Sequence, residues 1–494
     1  MKAFASGSVL FALLASGLPG AGESYQRFEI LTASSPSNSR DKDWKPGDKQ
    51  ALEVSGMAWV EGRLAVASRK GEVWWVDNPL AHRREDIRFR LFASGLHEPL
   101  GLLRDGNDLL VTQRAEVTRL QDRDGDGVAD AYLTECDGWN VSGNYHAYAY
   151  GPERDRQCNL WVTLNLGIGT LANNKTGWRG WGGVIGPDGK FAPKSFGMRS
   201  PCGLGANRAG DLFFTDQQGT WIPATPIYHL QPGVFYGNQE SLASTQHPDA
   251  PFRLTKVPRG NQPYGAALSE CPEFVSPAVW LPYNKMGRSA TDIELIDHGG
   301  KFGPFDGQLL VGEFTNASVN RVFLEKVNGQ YQGACFPFLS GFPSAVMRLS
   351  LSPEGSLFVG MTNRGWSSLG NRSYGLERVR FTGKVPFAIR SIQVRPEGFR
   401  LQFTQPVDRD RFSISVKSFT YQYSSRYGGS EQDARNHKCS HAVSEDGLAA
   451  TLTIEDLRRH HVFEFATDRI RSRTGKPLGH NGAWYTLNEM PKVQ

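Results

Sequence analysis

The chain reads as an all-β protein, a six-bladed β-propeller followed by an immunoglobulin-like β-sandwich. Three observations predict this. Short apolar runs recur between Gly, Asn and Asp turns, which is the strand–turn–strand signature. The unit is met six times across roughly residues 50–383. One such sheet cannot bury both faces, whereas six arranged radially can. Gly (55) and Pro (28) are plentiful, as short turn-bounded strands require.

Residues 1–22 read as a secretory signal, with Lys2 as the positive start, an apolar core over 9–14 and small residues at 20–22. A polar, turn-rich lead-in follows over 23–49. The six units are 54–77, 92–122, 146–185, 197–219, 291–325 and 338–382. The fourth, GMRSPCGLGANRAGDLFFTDQQG, is the clearest: a buried strand, a turn at 207–210, a second apolar strand and a polar loop. Long insertions at 166–195 and 220–290 exceed tight-turn length and are expected to shape one face. From Lys384 the pattern changes to alternating strands, and 384–494 reads as the sandwich, a spacer or docking module.

Composition excludes several classes. With 55 basic and 50 acidic residues, the net charge of +5 is too mixed for a nucleic-acid surface. No later run of 18 apolar residues exists, so no membrane span is expected, and the signal at 1–22 makes the expected location periplasmic or extracellular. Six cysteines are scattered without C-x-x-C spacing. An oxidising compartment permits pairs, Cys136 and Cys158 being nearest in sequence, but the connectivity stays open. No C-x-x-C-H motif attaches a haem.

In a propeller, loops leaving the inner strands rim a funnel. Those loops carry Arg69, Arg114, Asn165, Asp216, Glu313 and Arg364. That set suits a polar or anionic ligand, or else solvated loop ends. DRDGDGVAD over 122–130 matches the first part of a calcium loop. Asp122, Asp124, Asp126 and Asp130 offer carboxylates, Val128 its carbonyl, and Gly127 the sharp turn. Leu133 stands where a bidentate Glu is expected. The alternative is an acidic hairpin turn, and the place at a blade end suits a structural ion.

His146 begins a blade strand in NYHAYAYGPERD, near the expected axis, and imidazole is suited to take a proton near neutral pH. His97 and His229 are weaker candidates. Arg199 presents a planar fork to carboxylates. Lys285, Arg288 and Arg364 are further candidate cations, with inter-blade ion pairs as the alternative. Trp178, Trp181 and Trp366 are candidates for stacking on a sugar or flat ring, or for core packing. His437, Cys439 and His441 alternate, which would place them on one side of a strand, a conceivable metal site.

HAYAYGPERDRQCNLWVTLN followed by GMRSPCGLGANRAGDLFFTDQQG resembles the soluble quinoprotein glucose and sorbosone dehydrogenases. Those propellers carry a His before a G-P-D-G turn and an R-N-P-x-G-L signature. Almost the entire mature chain is similar to a group of secreted bacterial proteins labelled membrane-bound dehydrogenases, through QDRDGDGVAD, IYHLQPGVFYGN, KMGRSATDIE, TNRGWSSLG and GFRLQFTQPVD among others. The resemblance implies a funnel holding pyrroloquinoline quinone. His146 would then be the base that deprotonates a sugar hydroxyl, and Arg199 the cofactor-binding arginine. Ser200 stands where those enzymes have Asn. Lys285 and Arg364 are added to the cofactor set on charge alone. Relatives often continue into a haem domain, so electrons are expected to pass to a separate carrier such as a cytochrome. The competing expectation is a non-catalytic, calcium-bearing propeller that binds glycan or a protein partner.

Overall fold

The computed structural model describes residues 21–33, 52–141, 143–167 and 177–492. Residues 1–20 of the predicted export signal lie outside them. Strand accounts for 47% of the chain and helix for 5%, which fixes the class as all-β. No helix among the described residues is long and apolar enough to cross a membrane.

The sheets are antiparallel meanders met in chain order. The first joins Val54–Val60, Arg63–Ser68, Glu72–Asp77 and Arg88–Ala93. The second joins Leu102–Asp105, Asp108–Thr112, Val117–Gln121 and Ala131–Cys136. The third joins Ala149–Arg154, Leu160–Leu164, Trp181–Ile185 and Phe191–Phe196. The fourth joins Gly203–Ala206, Leu212–Thr215, Thr225–His229 and Val279–Leu281. The fifth joins Ala290–Leu295, Leu309–Glu313, Ser318–Val327 and Gln330–Leu339. The sixth joins Val346–Leu351, Leu357–Thr362 and Tyr374–Phe381.

The second strand of each sheet is almost wholly apolar because both of its faces are covered, as LWVTL and LFVGMT illustrate. The first strand of each sheet touches the first strand of the next, and the sixth returns to the first. Crowding there is severe. A Cβ on Gly101 would lie 1.6 Å from the Gly151 carbonyl oxygen, and one on Gly203 would lie 1.7 Å from that of Thr291. Only glycine lets the backbones approach so closely. A narrow cavity of about 100 Å3 runs between these strands and is lined by residues from all six sheets.

Several sequence expectations change. The lead-in contains a strand, Tyr25–Thr32, which pairs antiparallel with Tyr374–Phe381 and completes the sixth sheet. YQRFEILT buries Tyr25 and Ile30, so its polar flanks had masked a strand. The insertion at 166–195 supplies the outer two strands of the third sheet, and that at 220–290 those of the fourth. All six cysteines are free.

The C-terminal part packs two sheets over a core that includes Phe399, Phe463, Phe465 and Tyr485. One joins Ile389–Arg395, Gly398–Phe403, Ala449–Ile454 and Cys439–Val443. The other joins Ser415–Thr420, Gln432–His437, His461–Ala466 and Gly482–Leu487. This module is not a detached spacer. Gly482–Leu487 pairs with Gln330–Leu339, so the fifth sheet runs on into the module as one eight-stranded sheet. His437 and Cys439 fall on different strands, with the His437 ring stacked on Phe463 and its Nε2 2.7 Å from Ser418 Oγ. His437, Cys439 and His441 form no metal cluster among the described residues.

Candidate functional site

The loops after the second strands divide into two chemical groups. Acids and amides turn back and hold the backbone of the loop that enters their own sheet. Asp216, fully buried, accepts the N–H groups of Arg199 (2.8 Å), Ser200 (2.6 Å) and Gln217 (2.7 Å). Glu313 accepts those of Arg288 (2.8 Å) and Ser289 (2.6 Å). Asn363 accepts that of Ala345 at 3.1 Å, and Gln113 that of His97. Burial pushes the Asp216 carboxyl up to about 6, against the pull of its three backbone donors. These side chains are therefore structural pins.

Arginines face a cavity of about 410 Å3, Arg69 and Arg364 from the loops after second strands and Arg199 and Arg288 from the loops entering the fourth and fifth sheets. Arg69, Arg199, Arg288 and Arg364 line it, with His146. Arg69 donates to Glu98 (2.6 Å), to the Tyr148 hydroxyl (3.1 Å) and to the Arg364 carbonyl (2.7 Å). Arg364 is paired with Glu53 at 2.5 Å. Arg288 donates to Asn284 at 2.7 Å and has no carboxylate partner among the described residues. Arg199 is 6% exposed, yet no acceptor among the described residues takes a hydrogen bond from its guanidinium. Among the described residues, Arg69 and Arg364 are thus ion-paired with carboxylates and Arg199 and Arg288 are not.

His146 is set by its neighbours. Asn144 accepts its N–H at 2.9 Å, and Asn165 donates to its carbonyl at 2.6 Å. Its ring stands edge-on to Tyr145 and Tyr148, with centroids at 5.4 and 6.5 Å. Burial, then the charges of Arg199 and Arg114, hold the imidazole below the ordinary histidine value. It is neutral near pH 7, the form that accepts a proton.

The cavity brings together His146, Arg199 and Arg364, but not Lys285. The Lys285 ammonium is held by Glu431 and, at 2.7 Å, by Glu464. Both acids come from the C-terminal module, whose packing sequence charge alone could not foresee. His97 is exposed. His229 is packed against Phe213 and Tyr331, and burial lowers it to about 4. Trp178 and Trp181 are core residues, while Trp366 lines the cavity against Phe314 at 4.8 Å. Sequence reading passed over Tyr148, Tyr283 and Tyr427, also in the lining. Tyr148 sits two residues from His146 and was within reach of the same motif; Tyr427 lies in another module and had no local signal.

The acidic loop forms the hairpin between Val117–Gln121 and Ala131–Cys136. Carboxylate oxygens of Asp122, Asp124 and Asp130 lie within 4.8 Å of one another, a donor set that fits a hard cation. Asp126 is outside that group; its carboxylate accepts the Val128 N–H at 2.8 Å.

No curated protein matches the sequence. Among solved structures, the chain is similar to an oxidoreductase (glucose dehydrogenase) from Thermus thermophilus, with 18% identity, 72% of this chain and 99% of that one covered, and a TM-score of 0.49. It is similar to the aldose sugar dehydrogenase of Streptomyces coelicolor in its PQQ-bound form, with 15% identity, 72% and 98% covered, and a TM-score of 0.45. It is also similar to the soluble aldose sugar dehydrogenase of Escherichia coli in its apo form, with 11% identity, 72% and 99% covered, and a TM-score of 0.48. A family model described as a domain of unknown function, DUF7133, matches residues 86–332, half of the sequence, and the chain belongs to that family.

Proposed function

We propose that this protein is a six-bladed β-propeller oxidoreductase that binds pyrroloquinoline quinone in the arginine-lined cavity and oxidises a sugar or related alcohol. The closed cycle of first-strand contacts supports the six-bladed reading, and the two-sheet C-terminal core supports the immunoglobulin-like one over 384–494. One observation carries the enzymatic reading. A neutral imidazole and a buried arginine with no side-chain hydrogen-bond acceptor among the described residues, from different sheets, open onto one cavity.

The residues fit the proposed group. Its carboxylates suit Arg199 and Arg288, which form no ion pair with a carboxylate among the described residues, while Arg364 stays tied to Glu53. When bound, the quinone supplies a two-electron, hydride-accepting centre. His146 would take the proton from the substrate hydroxyl at its ring nitrogen. Asn144 and Asn165 fix the backbone from which that ring projects. Ser200 lines the cavity with its N–H on Asp216, and a hydroxyl replaces the amide of the related signature. Electrons would leave to a separate carrier such as a cytochrome. Calcium at Asp122, Asp124 and Asp130, with the Val128 carbonyl, would brace the outer hairpin, and export follows from the signal reading of 1–22.

The exposed aromatic side chains at the mouth, Trp366 and Tyr427, favour a second reading, a non-catalytic glycan- or protein-binding funnel. Incubation with calcium and pyrroloquinoline quinone, followed by dye reduction with a panel of sugars, separates the two. Quinone binding with turnover is expected; glycan binding without quinone would reverse the assignment.

A further inference from the structure

The C-terminal module reaches into the cavity. Its loop after Gln422–Tyr423 is stitched to residues 219–223 of the fourth sheet's insertion. Gly428 N–H donates to Gly219 O (2.9 Å), Gly429 N–H to Pro223 O (2.8 Å) and Trp221 N–H to Ser424 O (3.0 Å), and Thr220 bridges Tyr427. These links place the Tyr427 ring 5.2 Å from the Arg199 guanidinium carbon. On the Gly219 side there is no spare room, because a Cβ there would lie 2.0 Å from Arg199 Nε. Arg199 is therefore held between a backbone plane and an aromatic ring, stacked rather than hydrogen-bonded, with its donors uncommitted. Such a contact fixes the planar fork without consuming its N–H groups.

We propose that Tyr427 is a positioning residue of the binding site, so that the C-terminal module pre-organises Arg199 for a carboxylate-bearing ligand. The ligand class rests on the quinone reading above; the positioning of Arg199 does not. A pre-oriented fork spares the ordering cost that a free arginine would meet on binding. Tyr427 remains 68% exposed, so its outer face is open to the ligand while it packs on Arg199.

The test uses the full chain as wild type, Tyr427→Phe and Tyr427→Ala, with thermal unfolding to confirm that all fold. Two readouts are taken: affinity for pyrroloquinoline quinone, and the rate at which phenylglyoxal modifies Arg199, followed by peptide mass mapping without any ligand. Tyr427→Ala should weaken quinone affinity at least tenfold and accelerate Arg199 modification several-fold. Tyr427→Phe, which keeps the ring, should restore both. Gly219→Ala should act like Tyr427→Ala by displacing Arg199 from the other side. An unchanged modification rate in Tyr427→Ala overturns the proposal, and so does wild-type quinone affinity in that variant. If wild type binds no quinone but Tyr427→Ala still exposes Arg199, the quinone reading fails and the positioning of Arg199 by Tyr427 stands.

Discussion

At the scale of single residues, the account turns on His146 and on how its charge state is set. Its pKa is depressed by burial and by the positive charges of Arg199 and Arg114. The acid limb of kcat/KM should therefore fall below the ordinary histidine value. Replacing Arg199 with Met removes one of those charges, so the limb should move up in pH as affinity drops. Loss of a general base typically costs about 100-fold or more. His146→Ala should accordingly lower kcat by that order with quinone binding retained. A pH–rate profile of the two variants checks both statements. The place of His146 at the cavity was legible in sequence from its position ahead of the strand Ala149–Arg154. Lys285 was not, because a positive charge near a strand start does not say whether a cavity or a pair of distant glutamates will receive it.

Among elements, the inner strands and their turns could be read directly, since each apolar run ends in a Gly-bearing turn with one pattern. The outer strands were harder. Val279–Leu281 pairs with Thr225–His229 across about fifty residues of loop and short helix, so no local period marks it. The loop ends were read as one polar set, yet Asp216 and Glu313 turn inward to backbone N–H groups, Arg69 and Arg364 line the cavity, and Arg114 is tied to Glu98 outside it. A carboxylate accepts from backbone donors and an arginine cannot, which separates the two groups on chemistry alone. The hairpin at 122–130 gives the prediction at this scale. Calcium should raise Tm, and Asp124→Asn should abolish most of that gain by removing one of three converging carboxylates. A Tm that ignores calcium in wild type would leave the loop an acidic turn whose carboxylates serve only its own N–H groups.

Across the whole molecule, the crowded axis has an electrostatic consequence. Glu153, Asp292 and Glu294 share the narrow axial cavity with Arg348. Burial first, then the like charges of Asp292 and Glu153, push the Glu294 carboxyl up to about 8, and Glu153 rises to about 7. A carboxyl that binds its proton more tightly when folded adds stability below its unfolded value near 4.5, and that stability is lost as pH rises through the folded value. Tm should therefore fall by a few degrees between about pH 5 and pH 9. Glu294→Gln, which cannot ionise, should flatten that slope; an equal slope in the variant would place the pH dependence elsewhere.

The same long-range packing explains what composition could not reveal about the C-terminal module. Its strands were recognisable by alternation, but their fusion to the fifth sheet through Gln330–Leu339 and the reach of Tyr427 depend on pairs more than one hundred residues apart. The central claim is that a base and an arginine held without an ion pair among the described residues serve one quinone-binding cavity. Its most direct test is a spectroscopic titration of the calcium-loaded full chain with pyrroloquinoline quinone, in wild type and in Arg199→Met. The account predicts one saturable quinone per chain in wild type and an affinity at least tenfold weaker in the variant. Absence of a bound-quinone spectrum in wild type, or equal affinity in both proteins, would contradict it.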